Sequence, residues 1–210
     1  MATIDLEDFN GMAADAALTT TRTLPGAGSR TWAASGTYIR SNGSGVGFAY
    51  EDSARAWVDL GADQNFQAMI DFNMATACNV FVGGLKTTGS ASWDASVIAL
   101  LVGLTDLRIR AYDGAGSPAD LATKTIAGVS TGSGFKLQFV RRGLTLTAKV
   151  FTGAGVLVDS VPYTYPTGAP PSGNFWGFGF LNGGTTASFD NFLVEDAPAA
   201  SAVWANCANV

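Results

Sequence analysis

The chain has 210 residues, of which 26 are glycine and only 14% are charged, while 47% are hydrophobic. A sizeable core can therefore be buried, and wholesale disorder is excluded. There is no histidine, which removes Ser-His-Asp and Cys-His catalysis, histidine-ligated metals and imidazole pH switching. The net charge of -5 argues against a nucleic-acid partner, which would require a basic face.

The N-terminus, Met1-Ala2-Thr3-Ile4-Asp5, has no basic region, apolar stretch or cleavage site. The expectation is a soluble chain made in the host cytoplasm without a signal peptide. Ala13 to Ala17 is the one faintly helical stretch. Asn42-Gly43 then separates Gly36–Arg40 from Val46–Tyr50 and reads as a hairpin turn.

Period-two alternation follows. Phe66, Ala68, Ile70, Phe72 and Met74 alternate with Gln67, Met69, Asp71 and Asn73. The run Val97 to Leu104 is the longest apolar one and far too short to span a bilayer, so no membrane partner is expected. Leu107, Ile109 and Ala111 alternate with Arg108, Arg110 and Tyr112, and Asp113-Gly114 closes that strand. Phe135, Leu137 and Phe139 alternate with Lys136 and Gln138; after an Arg142-Gly143 turn, Leu144, Leu146, Ala148 and Val150 alternate with Thr145, Thr147 and Lys149. The arginines 108, 110, 141 and 142 read as a solvated sheet face.

Pro162 to Gly173, with four prolines, reads as a long surface connection. In Trp176-Gly177-Phe178-Gly179-Phe180 the aromatics share one face and glycine leaves the other bare, which assigns the aromatics to the core. Asn182-Gly183-Gly184 joins this segment to Ala187–Glu195. These patterns predict an all-β chain: an antiparallel two-sheet sandwich over residues 1–196, and a C-terminal extension over 197–210.

Two end segments carry a resemblance. Asp5-Leu6-Glu7-Asp8-Phe9-Asn10-Gly11 near the start and Ser188-Phe189-Asp190-Asn191-Phe192-Leu193-Val194 near the end resemble the opening and closing strands of concanavalin-A-like, laminin-G-like jelly rolls. Trp32–Val46 resembles that family's Trp-then-hairpin opening, Phe135–Val150 its hairpin of two apolar strands about an Arg-Gly turn, and Gly177–Phe180 its penultimate strand. The resemblance implies two curved antiparallel sheets, and a family that includes lectins, glucanases and non-catalytic modules of extracellular and bacteriophage virion proteins.

Catalytic motifs are tested against this frame. The glucanases of the fold use Glu-x-Asp-x-x-Glu, yet the three glutamates, Glu7, Glu51 and Glu195, begin no such motif. Asp59 with Asp63, or Asp71 alone, reads as strand-edge solvation. Gly128-Val129-Ser130-Thr131-Gly132 matches a nucleophile elbow without its histidine, and in Ser133-Gly134-Phe135-Lys136 a strand points serine and lysine apart. No enzyme is expected.

Calcium is the one metal with a candidate set, Asp5, Asp8, Asp190 and Asn191, which approach one another if the terminal strands pair. Trp93 beside Asp94 in a Ser-rich loop is the candidate glycan platform. Trp204 and Cys207 suit an anchor to a neighbouring subunit, and Cys78 is either a free buried thiol in a strand or the partner of Cys207. The leading expectation is a non-catalytic structural protein of a bacteriophage virion, displayed on capsid or tail as a decoration or fibre component. Its partners would be other virion proteins or copies of itself. The alternative is a glycan-binding module recognising host polysaccharide.

Overall fold

The computed structural model describes residues 3–7, 9, 21–24, 28–31, 33–34, 39–41, 46–48, 53–60, 65–88, 95–168, 171–181 and 187–196. Every element among them is a strand. The first seven are β1 (Thr3–Glu7), β2 (Thr21–Leu24), β3 (Gly28–Thr31), β4 (Ala33–Ala34), β5 (Ile39–Ser41), β6 (Val46–Phe48) and β7 (Ser53–Asp59). The middle of the chain gives β8 (Asn65–Met74), β9 (Asn79–Lys86), β10 (Ser96–Val102), β11 (Asp106–Tyr112) and β12 (Pro118–Thr125). The last five are β13 (Gly134–Arg142), β14 (Thr145–Thr152), β15 (Leu157–Thr164), β16 (Phe175–Leu181) and β17 (Ala187–Asp196).

Two antiparallel sheets face each other, as the alternation predicts. The first runs β15-β14-β13-β8-β17-β6-β5, with β1 also paired to β17; the second runs β12-β11-β10-β9-β16-β7-β4. A separate hairpin joins β2 to β3. Strand β17 shares one edge between two partners: Ser188 and Phe189 face β6, while residues 192–195 face β1. The terminal strands therefore pair as the resemblance implies.

The aromatic residues of the terminal segments converge on one ring. Phe178 lies 5.6 Å from Phe9, 5.2 Å from Phe189 and 5.5 Å from Phe192 between ring centroids. Strict alternation would send Phe189 and Phe192 to opposite faces. The register of β17 shifts between Asp190 and Leu193, and Asn191 takes φ +50°, a left-handed conformation that asparagine tolerates. Both phenylalanines are thereby turned into the core, and Asp190 and Asn191 fall on the outward side. Each buried aromatic of this knot stabilises the sandwich by about 1.5–3 kcal/mol.

A second irregularity sits in β9, where pairing with β16 shifts between Phe175 and Gly177 and Leu85 takes φ +58°. A Cβ at Gly84 would lie 1.7 Å from the Trp176 ring, so only glycine fits where the indole enters the core. Trp176, Phe178 and Phe180 are all buried, as the sequence pattern predicts.

Three sequence expectations need correction. Pro162 lies within β15, opposite Thr147, and not in a surface connection. Strand β15 is an edge, where a residue without an N–H costs no ladder hydrogen bond on the open side. Arg141 is 4% exposed and not part of a solvated face; it continues the inward row of Phe135, Leu137 and Phe139, and its Nε donates to Gly143 O at 3.3 Å. Cys78 is a free buried thiol, but it precedes β9 in the connection from β8 and is not within a strand. Burial pushes that thiol up to about 11. Residues 13–17, the Asn42-Gly43 and Asn182-Gly183-Gly184 turns and the extension 197–210 lie outside the described residues.

Candidate functional site

On the first sheet the outward rows carry polar side chains at positions the core cannot use. Asp71 of β8 stands between Lys136 of β13 and Asp190 of β17 in the ladder. Lys136 Nζ donates to both Asp71 carboxylate oxygens, at 2.7 and 2.8 Å, and Asn191 Nδ2 donates to Asp71 Oδ2 at 3.1 Å. Asp190 Oδ1 accepts the Asn191 backbone N–H at 2.8 Å, which fixes the bulge. Carboxylate, ammonium and amide are thus held in one plane of the sheet, with Asp71 and Lys136 still about a quarter exposed. Charge-assisted bonds of this kind pre-orient their groups for a polar ligand.

Further along the same face, Gln67 Nε2 donates to Glu195 Oε2 at 2.7 Å, and Gln138 Nε2 reaches Gln67 Oε1 at a longer 3.5 Å. This amide relay crosses β13, β8 and β17 and is nearly inaccessible at Gln67 and Gln138. Its groups brace the face.

The outward side of the second sheet differs. Its centre is apolar and fully buried: Trp57, Phe81, Ile98 and Leu100 form a second cluster beyond the main core. Trp57 lies opposite Gly177, and its ring is 5.7 Å from Phe81. Lys86, also buried, sits 5.6 Å above the Trp57 ring and donates to Thr88 O at 2.5 Å.

Towards the edge, Arg108 and Arg110 lie on the outward face as the alternation predicts, but they are neutralised locally. Arg108 bonds Asp106 at 2.9 Å and Asp120 at 2.8 Å; Arg110 bonds Asp120 at 2.6 Å. The hydrogen bond from Arg110 holds the Asp120 carboxyl below its usual range despite partial burial, with Arg108 adding to the effect.

The sequence-predicted sites divide as follows. Trp93 and Asp94 lie outside the described residues, in the connection between β9 and β10, whose ends meet through Thr87 N–H to Ala95 O at 3.3 Å. Trp204 and Cys207 also lie outside them, as do Asp8 and Asp63. Asp190 and Asn191 come together in the bulge, but Asp5 pairs with Val194, four residues away on β17. That is roughly 13 Å along a strand at ~3.3 Å per residue. Their ladder positions are thus well separated, and among the described residues no three His, Cys, Asp or Glu groups cluster as a metal site. Asp59 is exposed at the end of β7, whereas Asp71 sits in the middle of its sheet and not at an edge. Lys136, the lysine of the Ser133–Lys136 match, is bound to Asp71.

Lys136 and Asn191 as partners of Asp71 were not legible in the sequence. Alternation placed Asp71 and Lys136 on polar faces, but 65 residues separate them and only sheet register brings them together.

The fold is that of a lectin-like jelly-roll sandwich. No protein-family model and no curated protein matches the chain. Among solved structures, it is similar to the carbohydrate binding module CBM66 from Bacillus subtilis, with TM-score 0.52 and 11% identity over 93% of this chain and 94% of that one. It is similar to a legume lectin-like domain from Entamoeba histolytica, with TM-score 0.55 and 13% identity over 79% and 88%. The VIP36 exoplasmic/lumenal domain bound to Ca2+ and Man3GlcNAc also matches, with TM-score 0.53 and 13% identity over 80% and 84%. At such identities the likeness establishes the fold.

Proposed function

We propose that this chain is a non-catalytic glycan-binding module, and that the outward face of the first sheet is its binding surface. The observation that carries this reading is the Asp71 carboxylate, fixed by Lys136 and Asn191 yet still open to solvent. Sugar hydroxyls need such paired donors and acceptors, and groups already held in place lose little entropy on binding. The carbohydrate-binding neighbours of the fold support the same choice. Trp93 and Asp94, which lie outside the described residues, are the sequence candidates for an aromatic platform.

The reading does not depend on calcium. Here Asp71 already has Lys136 as its counter-ion, so no metal ion is needed to hold it. Binding to a glycan array, weakened about tenfold or more by Asp71→Ala, is the expected result. An array blank at high protein concentration rejects the proposal. Loss with Trp93→Ala but not with Asp71→Ala moves the site to the 87–95 connection.

Display on a bacteriophage virion is a second, separable reading, in which the module serves as decoration or fibre component. The aromatic and thiol in the tail, Trp204 and Cys207, support it as an anchor to a neighbouring subunit or another virion protein. Co-sedimentation with particles that is lost on truncation after Asp196 is the expected result; a chain that never associates with a particle rejects it.

A further inference from the structure

Two cations on the candidate face have no ion-pair partner among the described residues. Arg142 closes β13 opposite Thr145, and Lys149 lies in β14 opposite Gln138. Both point outward, because Phe139 and Arg141 on β13 and Leu146, Ala148 and Val150 on β14 take the inward rows. Between them in the ladder stands the outward pair Val140 and Thr147. Among the described residues neither cation makes an ion pair, and the Arg142 Nε is buried with no acceptor there. An unbonded guanidinium N–H away from water is costly unless something supplies an oxygen.

The described acids on this side of the fold are engaged elsewhere. Glu195 is on the far side of β8 and accepts from Gln67. Asp71 and Asp190 lie further along the face, the first held by Lys136 and the second by the Asn191 N–H. Asp159 of β15 is bridged at 2.5 Å to Lys124 of the other sheet. Burial disfavours the charged form of Lys149, and the Arg142 charge disfavours it further, so the two groups feel each other across Thr147. In a chain with 12 basic residues against 17 acidic ones, an uncompensated pair of like charges half-buried on one face is conspicuous.

We propose that Arg142 and Lys149 form an anion subsite for a charged glycan, taking the carboxylate of a uronic sugar or a sulfate ester. The proposal rests on the glycan-binding reading and names the class of glycan. The planar guanidinium can donate two parallel hydrogen bonds to a carboxylate or sulfate, the ammonium supplies a second charge, and Thr147 offers a hydroxyl beside them.

The test titrates the full-length protein with polygalacturonate, dextran sulfate and neutral dextran at low and moderate salt. Tighter binding of one or both anionic polymers than of dextran, weakening as salt rises, is the expected result. Arg142→Gln and Lys149→Gln should each weaken it about tenfold, and the double variant should bind the anionic polymer no better than dextran. Lys149→Arg, which keeps the charge, should retain binding, and an unchanged near-ultraviolet spectrum excludes unfolding as the cause. The ratio of polygalacturonate to dextran sulfate affinity decides between carboxylate and sulfate. A double variant with wild-type affinity, or a wild type that prefers dextran, overturns the subsite while leaving glycan binding intact. Failure to bind any polysaccharide overturns both readings.

Discussion

The two outward faces of this sandwich begin from the same alternating backbone and end in different chemistry. On the second sheet, the outward positions at the centre are Trp57, Phe81, Ile98 and Leu100, fully buried and packed as a second core. On the first sheet, the corresponding positions are Asp71, Lys136, Gln67 and Gln138, joined by hydrogen bonds and an ion pair. Glycines let the second face pack tightly: a Cβ at Gly177 would lie 1.9 Å from Ala56 O and 2.7 Å from the Trp57 ring. A bulge does the reverse on the first, sending Asp190 and Asn191 outward beside Asp71. One face is built for stability and the other presents polar groups.

The largest effect expected from breaking this contrast is on the apolar face. Trp57→Ala should cost about 3–5 kcal/mol of stability, as for other buried large-to-small changes, read as a shift in the urea midpoint. A loss below ~1 kcal/mol would mean that this face is not a true second core. Gly177→Ala should cost about 1–3 kcal/mol, because the contact it makes is with backbone and cannot be relieved by a rotamer change.

The polar face should respond weakly in stability. Asn191→Ala should cost about 1–2 kcal/mol for an alanine at positive φ, whereas Asn191→Gly should stay within ~0.5 kcal/mol and still lose the amide bond to Asp71. Equal stability losses for the two variants would show that the side chain matters and the backbone conformation does not.

The smallest effect concerns the charged rim of the second sheet. Asp120 is held below its usual range in the folded state, so its contribution is present above the unfolded value near ~3.9 and lost as pH falls through the folded one. Partial exposure keeps that contribution below ~1 kcal/mol. Asp120→Asn should flatten the acid limb of the stability–pH curve, and an unchanged limb would show that the arginines do not depend on it.

How far these features were legible depends on burial. Strands with one wet face, β8, β11, β13 and β14, announce themselves by alternation. Strand β10 does not alternate because Val97 to Leu101 are buried on both sides, and its continuous apolar run is the signature of that environment. Strands β12 and β15 went unrecognised. They are edges with both sides largely wet, so no apolar row marks them, and Pro162 reads as part of a surface connection. For the candidate site, Asp71, Lys136, Asp190 and Asn191 were each noticed for other reasons: strand-edge solvation, a chance serine–lysine match and a calcium set.

The sequence by itself determined the all-β class, the polar and apolar rows of the alternating strands and the burial of the Trp176–Phe180 aromatics; the pairing of the terminal strands was implied only by the family resemblance. Period-two patterning and turn chemistry are local, so they survive without a structure. Tertiary structure alone decided that Lys136 answers Asp71, that Asp5 and Asp190 stand apart in the ladder, that Arg141 is buried, and that Arg142 and Lys149 meet no acid among the described residues. Each of those depends on cross-strand register, where one residue of slip exchanges the two faces, and on bulges that local sequence does not announce.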